Sequence, residues 1–491
     1  MKIFKKRIIQ CLGFLAILYL LLLIPDWQIT APIITGNKKP FFWNRDSLWL
    51  QLEKKSQQAK MFEPIQLDSM IRSLKIMAES SLVSIQQKER LVTDTNFKKI
   101  ENIFFNLAPL IAVKTDEFLW YTEFYDHVRN SVKQQSQHWN MNETVSRNIV
   151  YSLLYGMRGA MEEVMLQSSI VFPAAMLVKN ERSVTPVAKI FGLEVHSGDL
   201  LVSRGGAEVS ALISRGNDYP GNFSHVALLY VDEHSNKPFL IEAHIEKGVA
   251  VSFVEQYESD KKLRFMVMRP RADLPQMIAD PMLPHKAAKS IYNESMTRHI
   301  PYDFKMNFQD TSAMFCSEVG SYAYRKFGLQ LWQSVSTISS PGVVDWLHDF
   351  GVENFVTQMP ADLEYDPQLS VVAEWRDRET LFKDHIDNAV MDAMLELAEN
   401  GKIISYNKWQ LPVVRLIKGY CIIKNRFGKT GMIPEGMSAT RALKNQSFVA
   451  MHVKIKKRTN EMADNFIKKN KYIPPYWQLV KFAEAASKEE E

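Results

Sequence analysis

Between residues 198 and 270 the chain carries five short apolar runs: "DLLVS", "HVALLYV", "PFLIEAHI", "GVAVSFV" and "LRFMVMRP". Turn clusters such as "DEHSNKP" and "EKG" separate them. Runs of this length, bounded by Gly, Asn, Asp and Pro, read as β-strands. Their spacing is too short for the helical crossovers that parallel neighbours need, so the block predicts an antiparallel meander. No other part of the chain limits the possible folds so tightly.

The flanks obey a different period. From about residue 46 to 180, apolar residues recur at three- and four-residue steps, as in Met70, Leu74, Met77, Ala78 and again in Ile149, Leu153, Met157, Ala160. That spacing predicts a bundle of helices. Pro186, Gly192 and Gly198 then mark the change to strands. Helical pattern returns near 284–298 and at 316–327, where Gly328 supplies a stop. From about 372 onward the chain reads as helical, with Ile386, Val390, Ala393, Met394 and Leu397 forming a stripe that ends at "ENG". The segment "VVRLIKGYCIIKNRFGKTGMI" reads as basic and partly β-like. A chain of 491 residues exceeds what one core usually serves. The expected fold class is α+β, divided into an anchor at 1–30, a helical region at 40–185, a strand-bearing domain at 186–355 and a mostly helical region at 356–491.

The N-terminus, "MKIFKKRIIQCLGFLAILYLLLLIPDW", has Gln10 as its one clearly polar residue between Ile8 and Ile24. Lys2, Lys5, Lys6 and Arg7 precede this run and should hold that end in the cytoplasm. No small-x-small cleavage site follows, so the expectation is an uncleaved single-pass anchor, with a signal peptide as the rival. The rest of the chain would then lie outside the cytoplasm, on the periplasmic side of a bacterial inner membrane. The formal net charge of +5 is small for this length and does not mark a nucleic-acid binder.

Three cysteines, Cys11, Cys316 and Cys421, make neither a disulfide framework nor a zinc ribbon. Cys11 lies in the apolar run, and Cys421 in "KGYCIIK" reads as structural. Cys316 follows "DTSAMF", with capping types at Asp310, Thr311 and Ser312, and precedes a helix pattern. At a helix start, dipole and N–H groups favour a thiolate. His225 stands in the apolar run "FSHVALLY", where an unpaired imidazole would be costly to bury. In "FLIEAHI", strand alternation puts Leu240, Glu242 and His244 on one face and Phe239, Ile241, Ala243 and Ile245 on the other. Glu242 can therefore orient His225 from the next strand, with His244 as the competing partner.

In this order, "SGDLLVSRG", "FSHVALLY", "IEAHIEKGV", "PYDFKMNF" and "FCSEV" resemble the permuted papain-like hydrolases of the YiiX/YebB type, relatives of the NlpC/P60 cysteine peptidases. The similar stretch runs from near residue 190 to near 350. The histidine strand precedes the cysteine helix, which is the circularly permuted order. The resemblance implies Cys316 as nucleophile, His225 as general base and Glu242 as orienting acid, with no metal or organic cofactor. Tyr302 and Asp303 of "PYDF" would shape the pocket, or simply form a turn. The long insert between Glu242 and Cys316 would carry a lid or a connecting helix.

The expected function is a membrane-anchored cysteine hydrolase of amidase or peptidase type, acting on an acyl bond such as a cell-wall peptide amide. A lipid acyl hydrolase or acyltransferase would use the same triad. A non-catalytic scaffold is the reading from a different class. "FGKTG" is not a phosphate loop, because Ile423 stands where a glycine is needed.

Overall fold

The computed structural model describes residues 2–26, 31–32, 47–168, 170, 172–178, 181–260 and 262–489. The meander forms as its spacing requires. Strands β1 (Ala175–Leu177), β2 (Leu200–Gly205), β3 (His225–Val231), β4 (Pro238–His244), β5 (Gly248–Phe253), β6 (Lys262–Pro270) and β7 (Leu369–Trp375) make one sheet in the order β1-β7-β6-β2-β3-β4-β5. Every neighbouring pair is antiparallel. The sheet reaches beyond the 186–355 stretch, taking β1 from before it and β7 from after it. The chain was expected to be helical from about residue 372, but residues 369–375 form a strand. They pair with β6, because "LSVVA" buries both faces and favours a central strand.

Both sides of this sheet are covered. Leu200, Val202, Val226, Leu228, Tyr230, Ile241, Ala243, Met266 and Met268 face the larger core. Leu201, Ala227, Leu229, Leu240, Phe265 and Val267 face a smaller one, closed by the hairpin of Val187–Ile190 and Leu193–His196. The "SGD" opener has a physical purpose. Gly198 sits at φ +97°, and a Cβ there would come within 2.3 Å of Pro284. The Asp199 carboxylate accepts two hydrogen bonds from Arg269, each 2.8 Å long.

The helices are α1 (Lys2–Leu22), α2 (Ser47–Ala59), α3 (Pro64–Gln86), α4 (Thr95–Ile111), α5 (Phe118–Gln135), α6 (Thr144–Tyr151), α7 (Met157–Gln167), α8 (Glu208–Arg215), α9 (Leu283–Thr297), α10 (Cys316–Arg325), α11 (Pro341–Phe350), α12 (Arg378–Glu399), α13 (Leu411–Arg426), α14 (Ala439–Asn470) and α15 (Tyr476–Ser487), with shorter turns between. The bundle expected over 46–180 is α2–α7. In α3 the buried stripe is Leu67, Ile71, Ala78, Leu82 and Ile85, while Met70 and Met77 are exposed. A π-turn at Ser152–Gly156 joins α6 to α7 and keeps Leu153, Met157 and Ala160 inside. The stripe on α12 is buried throughout. The insert after β6 forms α9, whose Ala287, Ala288 and Ile291 lie in the core; it is a connecting helix rather than a lid.

Buried ion pairs join the bundle to the sheet and to the turn that precedes β7. Arg129 of α5 pairs with Glu374 of β7, and Arg158 of α7 pairs with Glu364. Arg264 of β6 meets Glu162 of α7 at 2.5 Å and Asp384 of α12 at 2.6 Å. The stretch 413–433, expected to be partly β-like, lies largely in a helix, Leu411–Arg426. Pro412 suits its first turn, and Leu411 and Cys421 are its buried contacts.

Among the described residues no helix is long and apolar enough to cross a membrane. The uncharged part of α1, residues 8–22, spans about 22 Å at about 1.5 Å per residue, against a hydrocarbon core of about 30 Å. The remainder of the expected anchor, 27–30, lies outside the described residues.

Candidate active site

Cys316 opens α10 as expected, but its cap differs from the predicted one. Phe315 occupies the N-cap, and its N–H donates to the Glu318 carboxylate at 2.8 Å. Asp310 instead holds a local turn, accepting from the Ser312 N–H at 2.9 Å. The side of α10 bearing Val319 and Ala323 packs into the larger core, which brings its first turn against the beginning of β3. There the Cys316 thiol lies 3.7 Å from the Ser224 carbonyl oxygen and is 2% exposed.

His225 is the first residue of β3, at the sheet end where the strand emerges from the core. It belongs to the opposite sheet face from Val226. Glu242 lies on that same face of β4, opposite Ala227 in the register. Its carboxylate is 2.7 Å from His225 Nε2 and 3.3 Å from His244 Nε2. His244 therefore does not compete with His225, because one carboxylate serves both rings. The two rings lie 5.8 Å apart between centroids.

Burial opposes the charge on Glu242. Hydrogen bonds from His225 and His244 nonetheless hold its carboxyl well below the usual range. Burial also opposes the charge on His244, but the bond to Glu242 outweighs it and raises that imidazole above its ordinary value. Cys316 goes the other way. Burial pushes the thiol up to about 12, although the backbone N–H groups of Val226, Ser317 and Cys316 act to lower it. The helix start does offer donors to sulfur, as its position implied, yet desolvation wins in this resting arrangement. Burial thus favours the protonated thiol, whose hydrogen bond goes to a carbonyl rather than to the imidazole.

Cys316, His225, Glu242 and His244 all line one open cavity of about 440 Å³. Ala207, Val209, Ile213, Ala243, Ile245 and Tyr302 supply most of its apolar wall. Among the described residues Lys262 is the lysine in the wall, its ammonium 3.5 Å from Asp260 and 3.8 Å from the Tyr257 ring centroid. Tyr302 shapes the pocket, with its ring edge-on to Phe315 at 5.7 Å. Asp303 instead forms the turn, accepting from the N–H groups of Lys305 at 2.8 Å and Asn307 at 2.6 Å.

Glu318 is the residue that sequence reasoning passed over. Burial pushes its carboxyl up to about 8, and the nearby Asp303 and Asp310 add to the rise. The "FCSE" spacing is that of a capping box, but an N-cap Phe in place of Ser or Thr hides it. Among the described residues no three His, Cys, Asp or Glu side chains are grouped to hold a metal ion. Cys421 is buried, packed against Gly431.

No family model matches the chain, and no curated protein matches it. Among solved structures, the metalloprotein yiiX from Escherichia coli O157:H7 is similar over 37% of this chain and 97% of that chain, at 20% identity and a TM-score of 0.28. The superposition is loose, so the chemistry rests on the site's own geometry.

Proposed function

We propose that the protein is a cysteine hydrolase acting on an acyl bond at a membrane surface, built on a permuted papain-like core. The observation that carries this reading is the 2.7 Å contact between His225 Nε2 and Glu242, in a cavity that also holds Cys316. With Nε2 committed to Glu242, Nδ1 is the ring nitrogen left to take the thiol proton. Because the resting thiol is protonated, the proton moves as attack begins rather than beforehand. Sulfur adds to the carbonyl carbon, and His225 returns the proton to the leaving group. Water then attacks the thioester with His225 again as base, which releases the acid and restores the thiol. The N–H groups of Ser317 and Val226 around the sulfur are the donors available to the oxyanion. Glu242 stabilises the imidazolium that forms in each half-reaction.

The cavity wall favours an apolar acyl chain over a polar peptide, which moves the lipid acyl reading ahead of the cell-wall amide. The test is hydrolysis of p-nitrophenyl esters of increasing chain length, beside a muropeptide amide, with mass spectrometry of trapped acyl-enzyme. Cys316→Ala should abolish the adduct, and His225→Ala should slow turnover by about 10²–10⁴. Equal rates for wild type and Cys316→Ala would sink the hydrolase reading and favour a scaffold.

A further inference from the structure

Helix α13 has two apolar faces, and only one is covered. Its inner face, through Leu411, meets Ala439 and Leu443 of α14. On the outer face Trp409, just before the helix, is followed by Val413, Leu416, Tyr420, Ile423 and Phe427, just past its end. These six recur at alternating steps of four and three residues, and each is between 56% and 76% exposed. A six-residue apolar stripe at helical spacing, left open to solvent, calls for an occupant.

We propose that α13 lies flat on an anionic lipid surface, with this stripe immersed among the headgroups and upper acyl chains. Three observations select a bilayer over a second copy of the chain. The first is charge. Residues 400–434 contain Lys402, Lys408, Arg415, Lys418, Lys424, Arg426 and Lys429 and no Asp or Glu. Helix pairing would be expected to use both signs beside the seam, whereas an anionic surface needs only cations. The second is side-chain type. Trp409, Tyr420 and Phe427 make half of the stripe, and Trp and Tyr rings favour the membrane–water boundary.

The third is continuity with α1. Arg415 donates to the Leu22 carbonyl at 3.2 Å and pairs with Asp26 at 2.8 Å, while the Tyr19 hydroxyl donates to the Trp409 carbonyl at 3.1 Å. These bonds fix the C-terminal end of α1 beside the stripe. The apolar residues of α1 from Leu12 to Leu21 are themselves exposed. The two surfaces form one apolar pad whether α1 crosses the bilayer or rests on it, and the proposal does not depend on the hydrolase reading.

The test uses the full chain with Cys11, Cys316 and Cys421 replaced by serine and one new cysteine, Leu416→Cys, Tyr420→Cys or Ile423→Cys, carrying a polarity-sensitive dye. Ser235→Cys, on an exposed turn, is the control, and circular dichroism confirms each variant's fold. The protein is reconstituted with vesicles of phosphatidylcholine, with or without phosphatidylglycerol, containing headgroup-depth nitroxide lipid. Dyes at 416, 420 and 423 should blue-shift and be quenched at least twofold more than the dye at 235, most strongly with phosphatidylglycerol. Quenching at those positions no greater than at 235 would overturn the proposal. So would a blue shift that follows protein concentration without lipid, which would identify a second copy, or equal quenching in neutral and anionic vesicles.

Discussion

The buried thiol gives the most exacting prediction. Its pKa of about 12, against an ordinary 9.0, means about a thousandfold less thiolate at neutral pH. That ratio corresponds to about 4 kcal/mol favouring the protonated form. The measurement is iodoacetamide alkylation of Cys316 followed by mass spectrometry, in protein with Cys11 and Cys421 changed to serine. The rate should rise about tenfold per pH unit from 7 to 10 without a plateau. At pH 7.5 it should fall at least about 10³-fold below the rate in urea, since access through 2% exposure slows it further. His225→Ala should leave this profile unchanged, because the thiol bonds to Ser224 and not to the ring at rest. A plateau below pH 9 that disappears in His225→Ala would refute the reasoning. It would show a preformed thiolate–imidazolium pair, with the N–H groups around sulfur outweighing burial.

Two further outcomes follow from other buried charges. Glu318 holds its proton to about pH 8 in the folded chain, against 4.5 for an ordinary glutamate. A raised carboxyl contributes stability that is fully present below pH 4.5, declines between 4.5 and 8, and is constant above, a span of up to about 5 kcal/mol. Urea midpoints across that range should fall less in Glu318→Gln than in wild type, and parallel curves would contradict the burial of this group. Arg158→Met strands Glu364 without its guanidinium and should cost about 3–5 kcal/mol, recovered in part by adding Glu364→Gln. A single-mutant loss under 1 kcal/mol in thermal or urea unfolding would show that the pair does not carry the bundle's attachment.

The sequence reveals some elements better than others, for identifiable reasons. β3, β4 and β5 are legible because turns at 232–237 and 246–248 bound them and alternation in "FLIEAH" matches the two cores. That alternation also places Glu242 beside His225. β7 escapes because its partner β6 lies about a hundred residues earlier, and strand pairing at that distance leaves no local mark. The stretch 413–433 reads as partly β-like because β-branched residues crowd "VVRLI", whereas Pro412 just before it fits a helix start. The thiol's protonation was hidden as well. A helix start can be read from the chain, but the desolvation that overrides it comes from packing against β3.

The thiol touches the Ser224 carbonyl, one residue before β3 begins, whereas the imidazole leaves the first residue of that strand toward the other face. The gap between thiol and imidazole is therefore set like the jaws of a caliper, with one stretch of backbone as the beam. Residues packing the larger core move one jaw and those packing the smaller core move the other. A substitution outside the cavity lining, such as Val319→Ala on one side or Leu229→Ala on the other, should then detune the proposed reaction before it loosens the fold. Under the proposed mechanism, tolerance of core changes and tolerance of rate changes would be two separate properties.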